Sequence, residues 1–271
     1  MKQVIKNIFG SLWRFILFFT IWVVIVSIIF EFVEKPSFLN ESGSLIRLWS
    51  EFVPFMAIIA TTLLFLSTAK RKIKPRVDKN LLNGALIGAT IGIVWLGVVV
   101  LILLFLKILE FRAVVATSAL GVWVIAAAIN VAMQEYLVRG YLFQMLKSRY
   151  SVVVATIFTT VLFVAMHGFQ GGFLGIINVT FASLLFTMLL TRTGTLVAPI
   201  VAHTVWNVGG GVILGVISLG GVYPHFMKTV FSGPKWLTGG NLLIEGSIIT
   251  ATISALLILL IIKILPKKID R

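Results

Sequence analysis

The 271-residue sequence is 59% hydrophobic and only 12% charged, with a formal net charge of +14 and a mean hydropathy of +1.08. This composition excludes a soluble globular domain, whose surface needs far more charged side chains. The sequence contains no cysteine, which excludes disulfides and thiolate metal sites.

Eight apolar runs have about the length that a helix needs to cross a bilayer. They lie at about 12–33, 52–69, 81–109, 113–138, 152–168, 173–191, 195–219 and 242–264. Because these runs lack the two-residue alternation of membrane β-strands, the sequence predicts an all-α, polytopic membrane helical bundle. Residues 1–271 then form a single transmembrane domain, in which the first run is an uncleaved span because no small-x-small cleavage site follows it.

The basic residues predict the orientation of the bundle. Most of the 23 Lys and Arg residues lie before the first span, in the segment 69–80, around 139–149, and at the C-terminal end. With eight spans these positions share one side, which the positive-inside rule makes cytoplasmic, so both termini are predicted to be inside. Topology and attraction to anionic lipid explain the net charge. We therefore predict membrane lipid as a partner and no nucleic acid.

One carboxylate, Glu135, follows a long apolar run within a continuing helix, whereas the other eight acidic residues are interpreted as loop or span-end residues. A charge at membrane depth costs about 2.5–3.5 kcal/mol, so it normally faces a cavity or a partner. Two interpretations stay open. Glu135 serves a polar site, or it marks the membrane interface and pairs with Arg139 one turn later.

Two histidines, His167 and His203, also lie in apolar runs, and Asn207 follows His203 by one helical turn. A rise of 1.5 Å per residue puts Glu135, His167 and His203 about 16–24 Å from the cytoplasmic ends of their spans. These side chains are therefore predicted to share one polar site, toward the cytoplasmic half of the membrane.

The chemistry of this set favours hydrolysis. A carboxylate and a neutral imidazole together activate a water molecule, and the imidazole of His203 with the amide of Asn207 suits the binding of an oxyanion. No cofactor is then needed. The alternative is a zinc ion held by Glu135, His167 and His203, although HExxH spacing is absent. A transporter, or a haem or metal carrier that uses the two histidines, is a third hypothesis.

Three short motifs follow one another on successive apolar runs: QEYLVRG from Gln134, FVAMH from Phe163 to His167, and HTVWN from His203 to Asn207. In this order they resemble the Glu-Glu-x-x-x-Arg, Phe-x-x-x-His and His-x-x-x-Asn motifs of the CAAX protease and bacteriocin-processing (CPBP, or Abi) family. The resemblance covers about residues 120–210. It implies an eight-helix membrane fold and an intramembrane endopeptidase, in bacteria often linked to bacteriocin maturation, self-immunity or peptide signalling.

The resemblance also implies roles for individual residues. Residue 134 would be the water-activating glutamate, with His167 assisting it. His203 and Asn207 would form the oxyanion hole, and Arg139 would brace the motif helix. Phe163, which opens the second motif, counts as structural support.

The sequence departs from the family pattern at position 134, where it has Gln. An amide does not take a proton, and the loss of a general base typically costs about 10²- to 10⁴-fold in rate. Glu135 is the nearest substitute, but neighbouring side chains on a helix point about 100° apart. The chain is then a natural variant that uses Glu135, a pseudo-enzyme that keeps the fold, or the product of a deliberate Glu-to-Gln change.

The leading hypothesis is an intramembrane endopeptidase of the bacterial plasma membrane, with Glu135, His167, His203 and Asn207 as the working set. Its substrate would be a membrane-associated peptide or protein, for example of the prenylated type. The alternative hypothesis is a catalytically impaired family member that binds a peptide, confers bacteriocin immunity or regulates a partner protein.

Overall fold

The computed structural model describes residues 2–68, 73, 76, 80–168 and 172–266. Within these residues, five helical stretches are apolar and long enough to cross a membrane, and three further apolar helices are shorter. The long ones cover Gly10–Phe32, Gly43–Ser67, Leu81–Phe105, Leu120–Arg149 and Gly172–Thr193, and the short ones Val152–Met166, Val197–Ile213 and Ile248–Ile264. The prediction of a helical membrane bundle is confirmed, whereas three of the eight predicted spans are too short to count as full crossings by length alone.

The helices are named in chain order: α1 (Lys2–Phe32), α2 (Gly43–Ser67), α3 (Leu81–Phe105), α4 (Leu120–Glu135), α5 (Phe143–Arg149), α6 (Val152–Met166), α7 (Gly172–Thr193), α8 (Val197–Thr204), α9 (Lys235–Thr238) and α10 (Ile248–Ile264). Two segments of the described chain are wound as π-helix. Tyr136–Leu142 joins α4 to α5, and Val205–Ile213 continues α8. Most of the basic segment 69–80 and the C-terminal residues 267–271, which supported the predicted orientation, lie outside the described residues.

The boundaries of two predicted spans were wrong. Helix α2 begins at Gly43, nine residues before the predicted start at 52, so that Glu51 lies inside a helix and is buried. The predicted span at 113–138 starts at Leu120, because residues 109–114 form a strand. Hydropathy missed the early start of α2 because its first turns contain polar and charged side chains that are satisfied by other parts of the bundle.

One small antiparallel sheet interrupts the helical fold. Strand β1 (Leu109–Val114) pairs with β2 (Met227–Phe231), with a register shift between Phe111 and Ala113. Helix α3 ends because Lys107 takes a left-handed conformation with φ of 57°. The sheet ties the end of α3 to the long segment between the π-helix and α10.

Helix α8, which carries the third motif, packs closely against α3 through a stripe of small residues. Gly84, Gly88 and Gly92 are spaced four residues apart, and a Cβ atom at any of them would collide with Thr195, Ala198 or Val205. Small residues at this spacing let two membrane helices approach at backbone distance. The stripe therefore fixes the depth and rotation of α8.

The segment 214–247 covers one end of the bundle and is anchored by backbone hydrogen bonds. The amide of Ile244 donates to the carbonyl of Val216 at 3.1 Å, and Ile217 forms a β-bridge with Leu243. The hydroxyl of Thr250 on α10 donates to the carbonyl of Ile244 at 2.6 Å. The turn at Ile244–Gly246 is thereby held in place over the helices.

Candidate active site

A cavity of about 400 Å³ lies among α4, the end of α6, α7, α8 and the segment 214–247. Four of the five residues predicted to be catalytic line it together, namely Gln134, His167, His203 and Asn207. They come from three helices that are well separated along the chain. The cavity is also lined by the aromatic rings of Trp95, Phe163, Phe186 and Trp206, so its polar groups are set in apolar walls.

Glu135 does not line this cavity. Its side chain is fully buried, and its Oε1 atom accepts hydrogen bonds from Arg139 Nη1 and from His203 Nδ1, each at 2.9 Å. The geometry thus departs from the expectation that Glu135 acts on water directly. Gln134 lines the cavity wall instead of Glu135, because the side chains of consecutive helical residues point in different directions.

Arg139 is fully buried and connects the motif helix to two other helices. Its Nη2 atom donates to the carbonyl and hydroxyl oxygens of Ser183 on α7, at 3.1 and 2.8 Å. Its guanidinium carbon lies 4.6 Å from the ring centre of Phe163 and 5.4 Å from that of Phe186, distances at which a cation and an aromatic ring attract each other. The structure thus pairs Arg139 with Glu135, and both side chains are fully buried inside the protein.

The hydrogen bonds indicate which nitrogen of each imidazole carries the proton. His167 Nδ1 lies 2.7 Å from the carbonyl of Phe163, which only accepts, so this nitrogen carries the proton and Nε2 is left with a lone pair. His203 Nδ1 likewise donates to the Glu135 carboxylate. Both imidazoles contact the ring of Phe163, with centres 4.5 and 5.9 Å apart. Both histidines therefore lie next to the same phenylalanine.

The zinc alternative receives no support from this arrangement. Glu135 Oε1 and His203 Nδ1 bind each other, and His167 Nδ1 binds a backbone carbonyl. Among the described residues no group of three or more His, Asp or Glu side chains is placed to hold a metal ion.

Gln134 belongs to a chain of hydrogen bonds that the sequence did not reveal. Its Nε2 donates to Asn130 Oδ1 at 2.6 Å, and Asn130 Nδ2 donates to Glu51 Oε2 at 2.7 Å. Arg47 forms an ion pair with Glu51, and Tyr223 donates to Glu51 Oε1 at 2.9 Å. The Gln134 Oε1 atom is buried without a protein partner, which leaves an acceptor beside the cavity.

Two more polar side chains on the cavity wall were missed. Asn178 on α7 is buried, donates to the carbonyl of Ser247 at 3.0 Å, and leaves its Oδ1 atom without a protein partner. Glu245, in the turn before α10, lines the same cavity. Burial raises the pKa of its carboxyl group from 4.5 to about 7, although the Trp206 indole, a hydrogen-bond donor, acts in the opposite direction. Asn178 was detectable as an amide within an apolar run, but Glu245 gave no such signal.

The cavity lies toward one end of the bundle. Its wall includes Ser218, Gly220 and Leu242, which belong to the segment 214–247 that follows the π-helical extension of α8. The turns at 149–152 and 193–197 lie at the opposite end, because α6 and α8 start there. With the predicted orientation of the termini, the cavity would face the outer side and not the expected cytoplasmic half. The side of the membrane on which the site lies therefore stays a prediction.

Residues 116–209 match the family model described as type II CAAX prenyl endopeptidase Rce1-like. No curated protein and no solved structure matches the chain. The matched range contains all three motifs, from Gln134 to Asn207. The match supports the resemblance to the CAAX protease family on which the three motifs agreed.

Proposed function

We propose that this protein is an intramembrane endopeptidase that hydrolyses a peptide bond of a membrane-associated substrate. The observation that carries the proposal is the meeting of all three motifs at one cavity, which Gln134, His167, His203 and Asn207 line together. The family match over residues 116–209 supports the same reaction class. Apolar walls around a few polar groups are the usual makeup of a substrate site.

The reaction needs a water molecule held close to the scissile carbonyl. His167 Nε2 accepts a hydrogen bond from this water, because its other nitrogen is occupied by the Phe163 carbonyl. The partnerless Oε1 of Gln134 accepts a hydrogen bond from an N–H group of the bound peptide. His167 thus orients one hydrogen of the water, and Gln134 orients the peptide whose carbonyl the water attacks.

The oxyanion of the tetrahedral intermediate is bound by the side chains of His203 and Asn207. His203 donates from Nε2 only as an imidazolium, because Nδ1 already donates to Glu135. The carboxylate of Glu135 stabilises that imidazolium, and Arg139 holds the carboxylate in position. Donors of this kind lower the barrier by about 3–4 kcal/mol in a site that excludes water. Glu135 and Arg139 are therefore positioning residues.

The test is cleavage by purified protein in liposomes. A panel of membrane-tethered peptides, one of which ends in a prenylated CAAX sequence, is incubated with the protein and the products are identified by mass spectrometry. We expect cleavage of at least one peptide and a loss of about 10²-fold or more for His167→Ala. The matched control is Glu110→Gln on the exposed strand β1, which should retain full activity. An intact panel would overturn the proposal.

A second candidate function is peptide binding without cleavage, and one observation favours it. The amide of Gln134 is built into the hydrogen bonds of Asn130 and Glu51, as expected for a position where an amide is required. A photo-reactive peptide from the panel should then crosslink to the protein equally well after His167→Ala and His203→Ala are combined. Loss of crosslinking in this double variant would favour the enzyme.

A further inference from the structure

Glu245 is a carboxylate on the cavity wall that lies outside the three motifs and outside the matched range. It belongs to the turn Ile244–Gly246, which precedes α10. Hydrogen bonds to Val216 and Thr250 hold this turn, and a Cβ atom on Gly239 would collide with the backbone of Leu243. Its carboxylate is therefore positioned by the fold and not by a loose loop.

Among the described residues that line the cavity, Glu245 is the one carboxylate. Within the described part of the chain, the carboxylates of Glu51, Glu110 and Glu135 each pair with an arginine. Among the same described residues, Glu245 forms no ion pair. Arg47 lines the same cavity but is bound to Glu51. A carboxylate that is tied to arginine is a poor proton acceptor, so Glu245 is the one best suited to take a proton from water.

Its neighbours place Glu245 beside the proposed oxyanion site. The carboxylate interacts with the Trp206 side chain, and Trp206 immediately precedes Asn207 on the π-helical segment. The Trp206 ring is fixed by stacking on Trp95, with ring centres 3.7 Å apart. Glu245 and His167 line one cavity of about 400 Å³, a volume that also has room for a peptide group and a water molecule.

We propose that Glu245 is the general base of the reaction and supplies the carboxylate that position 134 lacks. This inference rests on the proposed function. Glu245 takes a proton from the water while the water oxygen bonds to the scissile carbonyl carbon. When the tetrahedral intermediate collapses, the C–N bond breaks and the carboxylic acid of Glu245 returns the proton to the leaving nitrogen. One water is consumed, and an acid and an amine are released.

The pKa of about 7 agrees with this role, because a base acts best when its pKa is near the working pH. Activity should rise with pH through about 7 as the carboxylate ionises. The other titratable or charged groups on the cavity wall are His167, His203, Tyr223 and Arg47. On α9, next to the turn, the charged group is Lys235, which is exposed. Because these groups share the cavity, the effect of Glu245 on the pH dependence of activity is separated from theirs by substituting Glu245.

The experiment compares Glu245→Gln and Glu245→Asp in liposomes with a panel peptide that the unsubstituted protein cleaves. We expect Glu245→Gln to lower kcat by about 100-fold, a general-base effect, with KM changed by less than about threefold. The rise of activity near pH 7 should disappear. Glu245→Asp, which keeps a carboxylate, should recover at least about tenfold over the Gln variant. Glu110→Gln again serves as the control for loss of a carboxylate elsewhere.

The result that would refute the role of Glu245 differs from the result that would refute the proposed function. If Glu245→Gln cleaves within about threefold of the unsubstituted protein, or if the Asp variant is no better than the Gln variant, Glu245 is not the base and the proposed function stands. If the unsubstituted protein cleaves no peptide of the panel, the proposed function itself fails, and the role of Glu245 with it.

Discussion

At the level of single residues, the direction of the hydrogen bonds explains why position 134 holds an amide. The carboxylate of Glu51 only accepts, so Asn130 must turn its NH₂ group toward Glu51 and its oxygen toward residue 134. A donor is then needed at position 134. Gln provides one, whereas an ionised Glu would place two acceptors against each other.

We therefore expect Gln134→Glu to destabilise the protein, by about 1–3 kcal/mol for a buried polar group that loses its partner. Glu51→Gln should compensate, because an amide at position 51 donates to Asn130 and allows the asparagine to turn its NH₂ group toward residue 134. The measurement is a double-mutant cycle from unfolding in detergent, with a coupling of at least about 0.5 kcal/mol. Pairing Gln134→Glu with Glu110→Gln should give additive effects, and additivity in both cycles would refute the argument.

The residues of the site were only partly predictable from the sequence. The motifs identified Gln134, His167, His203 and Asn207, since short polar patterns inside apolar runs stand out. The position of Glu135 behind the cavity wall depends on the rotation of α4, which a sequence motif does not specify. Glu245 was missed for a different reason: its side chain reaches the cavity only because distant backbone contacts hold its turn, and no local pattern encodes those contacts.

At the level of helices, apolar runs predicted where most of the helices lie but not how they end. Hydropathy predicts that Arg47 and Glu51 lie in a loop, but both belong to α2. They form an ion pair with each other, and Tyr223 donates a hydrogen bond to Glu51. The sheet between β1 and β2 was missed because Leu109–Val114 is apolar enough to extend a span. Conversely, α6 is shorter than its predicted span, as is α10.

The glycine stripe of α3 yields a prediction about helix packing. A Cβ atom on Gly88 would collide with the backbone carbonyl of Ala198, so Gly88→Ala must push α8 away from α3. We expect a loss of about 1–3 kcal/mol in stability, the usual cost of overpacking. Peptide cleavage should also fall, because α8 carries His203.

The same helix offers a matched control. A Cβ atom on Gly97 would meet nothing within 4 Å, so Gly97→Ala should be neutral, or stabilising by up to about 1 kcal/mol through helix propensity. Unfolding in detergent and peptide cleavage are measured for both variants. Equal effects of the two substitutions would show that the close approach of α3 and α8 is not what positions the third motif.

At the scale of the whole molecule, the charges and the cavity point to opposite faces of the membrane. The basic residues predict that the N-terminus and the turn at 149–152 are cytoplasmic. The cavity instead reaches the segment 214–247, at the other end of the bundle. A substrate would then reach the site from the outer half of the membrane, or from the lipid between the helices.

The absence of native cysteine makes this arrangement directly testable. Single cysteines are introduced at Val222, which is exposed beside the cavity segment, and at Ser151, which is exposed in the turn before α6. In sealed right-side-out vesicles a membrane-impermeant maleimide should label the Val222→Cys protein at once. The Ser151→Cys protein should be labelled only after permeabilisation. Because the two positions lie at opposite ends of the bundle, each variant is the control for the other. The reverse pattern would place the termini outside and turn the cavity toward the cytoplasm, which would overturn the orientation inferred from the basic residues while leaving the geometry of the site unchanged.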